Sequence, residues 1–201
     1  MPSPVPEHMP PTWSAAPYAG VVRALIVAFK DADRVDMAPD LARLLAKSIA
    51  QALTESPAMA EAIRDGQGVA LVPMPSRASS VRSRGRRHLE ELIAEIGRRG
   101  GPMPGVTHVP ALRVSDTVRD QAGLDQQDRA ANLRRAMHVH PSYRDALRGS
   151  VCVLVDDVVT TGSTLSEAAR AIEHSGVGPV VGVTVAATAR RGRPTVEPGR
   201  S

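Results

Sequence analysis

The chain has 201 residues with 42% apolar content, enough for one domain with a sizeable core but with no apolar run near the ~20 residues of a membrane span. Its formal net charge is +4, carried almost wholly by arginine, with Lys30 and Lys47 the only lysines; an arginine fork suits phosphate and carboxylate. The single cysteine, Cys152, excludes an internal disulfide and a cysteine-rich metal site, and an aromatic content of 2% argues against a single-strand nucleic-acid binder built on stacking.

Residues 1–16 are rich in proline and carry no periodic pattern, so they read as a disordered lead-in. They also lack the charged start and apolar core of a signal peptide, which makes a cytoplasmic location the expectation. From Tyr18 a helical face appears in Tyr18, Val21, Val22, Leu25, Ile26 and Phe29. A second helix carries Met37, Leu41, Leu44, Leu45, Ile49 and Leu53. Ser56 and Pro57 mark the start of a short third helix ending near Gly66. The run from Val69 to Val72 predicts a buried strand, stopped by Pro73 and Pro75. After a basic loop comes a helix with Leu89, Leu92, Ile93 and Ile96 on one face. "THVPALRV" predicts a further strand. Residues 115–135 are highly polar and read as an exposed loop running into a short helix, a length that points to function or disorder. "RGSVCVLVDD" predicts a strand, Leu165, Ala168, Ala169 and Ile172 a helix, and "VVGVTVAA" a last strand. Residues 189–201 read as a loose basic tail.

Strands that alternate with helices, and that are continuously apolar, belong to a sheet covered on both faces. The expected class is therefore α/β, with a mostly parallel central sheet flanked by helices. One domain is expected over 17–188, with the helices of 17–66 as a cap at one end of the sheet. Cys152, inside an apolar strand, reads as a small buried hydrophobe.

The chemistry concentrates in "VCVLVDDVVTTGSTLSEAARAI". In an open α/β sheet, ligands bind at the carboxyl ends of the strands, which is where Asp156 and Asp157 fall. Two adjacent carboxylates repel each other, yet together they can accept from two neighbouring hydroxyls, as on a ribose. "TTGST" supplies backbone N–H groups, hydroxyls and a flexible glycine ahead of a helix N-terminus, a setting that favours an anion. Read singly, Asp157 is also a turn residue, and Ser163 or Thr164 also an N-cap. The whole ordered run reads as a sugar-phosphate site.

"VLVDDVVTTGSTL" resembles the signature of the type I phosphoribosyltransferases, which bind phosphoribosyl pyrophosphate (PRPP). The resemblance implies that Asp156 and Asp157 take the ribose hydroxyls, and that Thr160, Thr161, Gly162, Ser163 and Thr164 take the 5′-phosphate. Three further segments are similar to the ComF family within that superfamily. They are "YAGVVRALIVAFK", ending in Lys30; "VPMPSRASSVRSRG"; and "QAGLDQQDRAANLRRAMHV", with Gln121, Arg129 and Asn132 in matching places. The four segments span most of residues 18–188. Two departures stand out. The four-cysteine zinc module usual in ComF proteins has no counterpart in this sequence. Their Arg-Gly-Phe-Asn-Gln run is "RGRRH" here, with Arg84 and Gly85 kept and Arg86, Arg87 and His88 in the other places.

Within the resemblance, the pyrophosphate falls to the loop from Pro75 to Gly85, with Arg77, Arg82 and Arg84 as candidates; the same residues also read as a solvated basic loop. His88, on the following helix, reads as a surface residue. Ser115–Asn132 would be the mobile flap, with Arg119, Gln121 and Arg129, or else an exposed linker. Mg²⁺ is the implied cofactor, held mainly by PRPP oxygens and water because no dedicated ligand cluster stands in the sequence. The partners implied are PRPP and an unidentified acceptor. Nucleic acid is possible but not favoured, and the oligomeric state is unreadable. A PRPP-binding regulator without turnover, or a ComF-type accessory of DNA uptake, remains an alternative.

Overall fold

The structure is a computed structural model and describes residues 6–75, 86–100, 105–115 and 136–188. In chain order its elements are β1 (Thr12–Pro17), α1 (Gly20–Asp31), α2 (Ala38–Glu55), α3 (Pro57–Arg64), β2 (Gly68–Pro73), α4 (His88–Gly100), β3 (Val106–His108), β4 (Leu112–Val114), β5 (Met137–Val139), α5 (Arg144–Leu147), β6 (Ser150–Val159), α6 (Ser163–Glu173) and β7 (Val180–Ala187). Five strands make one sheet in the order β1-β7-β6-β2-β3, every pair parallel. Strands β4 and β5 pair antiparallel in a separate ribbon. The α/β class expected from the apolar runs is the one observed.

Strand β6 shows why those runs were continuous. Val151, Cys152, Val153, Leu154 and Val155 are all 0% exposed, although successive side chains point to opposite faces. Both faces are therefore covered. Burial also pushes the Cys152 thiol up to about 12, as befits a small core residue rather than a nucleophile.

The connection from β6 to β7 runs one way across the sheet, whereas those from β1 to β2 and from β2 to β3 run the other way. Parallel crossovers are right-handed, so α6 covers one face while α2 and α4 cover the opposite one. Accordingly α6 packs on β6 and β7, and α2 packs on β7, β1 and α4. The direction reverses between β6 and β2, and such a reversal opens a crevice at the strands' carboxyl ends.

Three expectations are corrected. Residues 12–16, placed in a disordered lead-in, form with Pro17 the edge strand β1, in register with β7 from Thr12↔Gly182 to Pro17↔Ala187. Its outer edge needs no ladder partner, so flanking prolines are tolerated. It is tied down by Ser14 Oγ to Thr184 Oγ1 at 2.6 Å and by Trp13 Nε1 donating to Glu55 at 2.8 Å. A Cβ on Gly182 would lie 2.6 Å from Thr12 Oγ1, so glycine is what lets the edge strand approach.

The cap assigned to 17–66 is also redrawn. Helix α2 lies along the sheet, burying Leu41, Leu45, Ile49 and Ala52, with Ser48 Oγ donating to the Thr184 carbonyl at 2.7 Å. Helix α1 reaches the carboxyl end of β6, where Lys30 meets Asp157. Lastly, "THVPALRV" is two strands in different sheets, because Pro110 separates β3 from β4. The Ser56 cap is as read, accepting from Met59 N–H at 3.4 Å with Pro57 opening α3. Residues 189–201 lie outside the described residues.

Candidate functional site

Strand β6 delivers Asp156 and Asp157 to the crevice, in register with the end of β7. Because side chains alternate along a strand, the two carboxylates leave β6 on different sides. Asp156 Oδ1 accepts the Asp157 N–H at 2.9 Å. Desolvation, and then the neighbouring Asp157 charge, raise the Asp156 carboxyl from 3.8 to about 8. Asp157 meets an opposite charge instead, with Oδ2 2.5 Å from Lys30 Nζ and the two side chains 16% and 35% exposed. Burial works against the Lys30 ammonium. The charge of Asp157, its hydrogen bond, and the charges of Asp156 and Asp31 outweigh it, so the lysine pKa lies above its ordinary value.

The loop after β6 turns through Gly162, whose φ of 75° places it in the left-handed region that glycine enters without strain. Gly162 is the N-cap of α6. As a glycine, this N-cap offers no side-chain cap, and the first turn of the helix holds no acidic residue. Thr161 Oγ1 lies 3.0 Å from Ser163 Oγ and accepts from Ser163 N–H at 3.4 Å. Thr160 and Thr161 are exposed. Open N–H groups, hydroxyls and the positive end of the helix dipole thus share one corner. The helix is held rigidly behind them by buried Leu165, Ala168, Ala169 and Ile172. Buried Glu167 fastens β5 to the same helix: it accepts Met137 N–H at 3.0 Å and Arg170 at 2.7 and 2.8 Å.

On the other side, α1 stands beside the acids. An open cleft of about 410 Å³ lies between them, lined by Tyr18, Ile26, Val27, Lys30, Asp31, Asp157, Val158 and Thr160. Ile26 and Phe29 anchor α1 in the core. Phe29 in turn receives the altered "RGRRH" run. The Arg86 guanidinium sits 5.3 Å from the Phe29 ring centroid and pairs with Asp33 and Glu91. His88 packs edge-on to the same ring at 5.2 Å. It is buried, contrary to its reading as a surface residue, because the start of α4 faces inward onto α1. Arg87 pairs with Glu90 at 2.9 Å. Two of the three departures, Arg86 and His88, thus serve the packing of α4 against α1, while Arg87 pairs with Glu90 of α4 itself.

The structure brings together Asp156, Asp157, Thr160, Thr161, Gly162, Ser163 and Thr164. Arg77, Arg82 and Arg84 lie outside the described residues, as do Arg119, Gln121, Arg129 and Asn132. Ser115 N–H donates to the Ala136 carbonyl at 2.7 Å. Sequence reasoning gave Lys30 a place in a motif but no role. The available signal was its rarity in a chain whose positive charge is otherwise arginine. Among the described residues no group of three or more histidine, cysteine, aspartate or glutamate side chains could hold a metal ion. No helix among them is long and apolar enough to cross a membrane.

Residues 42–198 match the phosphoribosyl transferase domain, and the chain belongs to that family. The match begins inside α2, which leaves α1 and Lys30 outside it. A more particular likeness is to Competence protein F of Haemophilus influenzae, 32% identical over 108 residues, or 54% of this chain and 45% of that protein. The chain therefore spans less than half the length of this relative, and the likeness agrees with the ComF-type segments read from the sequence.

Proposed function

We propose that this chain binds PRPP together with Mg²⁺ and transfers the phosphoribosyl group to an acceptor, releasing pyrophosphate. The observation that carries this reading is the juxtaposition of two strand-end carboxylates with an uncapped helix N-terminus across one turn. In the proposal Asp156 and Asp157 engage the ribose 2′- and 3′-hydroxyls, and the Thr160–Thr164 turn receives the 5′-phosphate. Arg77, Arg82 and Arg84, which follow β2 in the sequence, are assigned the diphosphate in the proposal. The bond from the anomeric carbon to the diphosphate oxygen breaks, and a nucleophilic atom of the acceptor forms the new bond. Positive charge develops on the sugar, as in glycoside hydrolysis, and in the proposal the Asp157 carboxylate offsets it.

The donor set bears on the metal. No cluster of protein ligands stands among the described residues, and in the proposal Mg²⁺ would be carried mainly by substrate oxygens and water. Bound there, it would supply neutralisation of the leaving group. The open cleft against Tyr18, Val27 and Lys30 is the assigned place of the acceptor.

The test is thermal denaturation with PRPP and Mg²⁺, followed by pyrophosphate release over a panel of nucleobases and amines. The expected result is a rise in melting temperature that the Asp156→Asn, Asp157→Asn double variant loses entirely. No rise at millimolar PRPP sinks the reading. Binding without release over the whole panel would instead indicate a PRPP-responsive regulator.

A second reading, a part in competence, is favoured by the name of the Haemophilus influenzae relative and by the net positive charge. It predicts DNA binding that weakens steeply with salt, and no binding at low salt excludes it.

A further inference from the structure

Lys30 stands where stability alone does not call for it. It comes from the last turn of α1, and the buried anchors Ile26 and Phe29 fix that turn over β6. Its ammonium spends a donor on Asp157 at 2.5 Å while both residues line the open cleft. A partly exposed ion pair contributes little to folding, and a desolvated one often contributes nothing net. A hydrophobic side chain on α1 would seal the same place at lower cost. The pair is better understood by what it does to the acids.

The surroundings of Asp157 are definite. From α1 come Lys30, paired with it, and Asp31, which lines the same cleft, and from β6 comes Asp156. From α4 comes His88, which lines with Lys30 and Asp157 a small void of about 10 Å³ behind the pair. Arg86 is committed to Asp33 and Glu91. Among the described residues, Lys30 is thus the cation that reaches Asp157. Two adjacent carboxylates at a half-buried strand end resist joint ionisation. A fixed ammonium 2.5 Å from Asp157 supplies that carboxylate with a counter-charge and acts on Asp156 as well. It also leaves two further ammonium donors beside the cleft.

We propose that Lys30 is a positioning residue for sugar binding: its ammonium holds Asp157 as the anionic acceptor for a ribose hydroxyl, leaving Asp156 to complete the diol contact. This rests on the phosphoribosyl reading of the site. Lys30 lies outside the residues that match the phosphoribosyl transferase domain, so the device belongs to the ComF-like helix in front of that domain.

The probe is ribose 5-phosphate, titrated calorimetrically into the full chain from about pH 6 to about pH 9, the range spanning the raised carboxyl. Wild type, Lys30→Met and Lys30→Arg are compared, with folding checked by circular dichroism. Without the ammonium, the Asp156 carboxyl loses a nearby charge that lowers it and so ionises at still higher pH. Lys30→Met is therefore expected to lose about tenfold in affinity at the acid end and to recover as pH rises, while Lys30→Arg keeps the wild-type profile. A merely structural lysine would lower the melting temperature without moving the pH dependence. Should the methionine variant not fold, Lys30→Gln keeps the stem without the charge and serves in its place. A folded Lys30→Met or Lys30→Gln variant that binds like wild type at every pH overturns the proposal. A wild-type chain that binds neither ribose 5-phosphate nor PRPP overturns the phosphoribosyl reading as well.

Discussion

On one side of the β6 terminus everything comes from a single run of chain. The acids, the turn through Gly162 and the first residues of α6 follow one another without a break. On the other side nothing is local. Lys30 and Phe29 arrive from α1, His88 and Arg86 from the start of α4, and their meeting depends on how two helices pack. The first side is shaped by short-range geometry and tolerates little change in residue type. The second is shaped by core packing, and its residues can change in concert, as the "RGRRH" run illustrates. A site built this way can keep its sugar-phosphate half while its other half is redrawn.

The largest effect should come from breaking the packed side. Phe29 is 2% exposed and carries both Arg86 and His88 on its ring. Phe29→Ala should cost about 4 kcal/mol, read by chemical denaturation. The cradle side should be touched only through global unfolding, so ribose 5-phosphate affinity, extrapolated to the folded fraction, should fall far less than stability. A loss of sugar binding as large as the loss of stability would show that the two sides are not separable.

That asymmetry also explains what the sequence disclosed. The strand β6, the turn and α6 were legible because apolar runs, glycine and hydroxyls leave local signatures. The parallel sheet was legible for the same reason, through Val151–Val155. Strand β1 was not, because its half-buried residues are small, its neighbours are prolines and it pairs on one edge only. The Lys30–Asp157 pair and the burial of His88 were hidden because each joins segments far apart in the chain, and no spacing rule connects them.

The next effect falls on the anchor behind the cradle. Glu167 is 6% exposed and satisfies both Arg170 and the Met137 N–H. Removing one partner of a buried ion pair strands the other, so Glu167→Ala should cost about 3 kcal/mol. The pairing of β4 with β5 should loosen with it, visible as faster amide exchange at Met137 and Val139.

Asp156 supplies a pH test. Its carboxyl holds a proton in the folded chain up to about 8, against 3.8 for the ordinary group. Between those values the unfolded state binds fewer protons than the folded state, so stability is whole below about pH 4 and falls as pH rises toward 8. Asp156→Asn keeps an oxygen for the Asp157 N–H and cannot ionise. It should therefore flatten that slope and be more stable than wild type at pH 8, by about 2 kcal/mol. Equal slopes in the two proteins would show that Asp156 is ionised in the folded chain.

The smallest change in stability should sharpen the comparison most. Gly162 holds a φ of 75° at the entry to α6, and an alanine there pays for a left-handed backbone, about 1 kcal/mol. If the turn were only a connection between strand and helix, ligand binding would follow stability and barely move. If the turn presents its N–H groups to a phosphate, a slight rotation misaims several donors at once. Gly162→Ala should then lose ribose 5-phosphate binding while keeping its fold, the reverse of what Phe29→Ala does. Finding both variants with the same ratio of lost affinity to lost stability would mean that local turn geometry and distant helix packing act on the site as one unit, and the division between its two sides would fail.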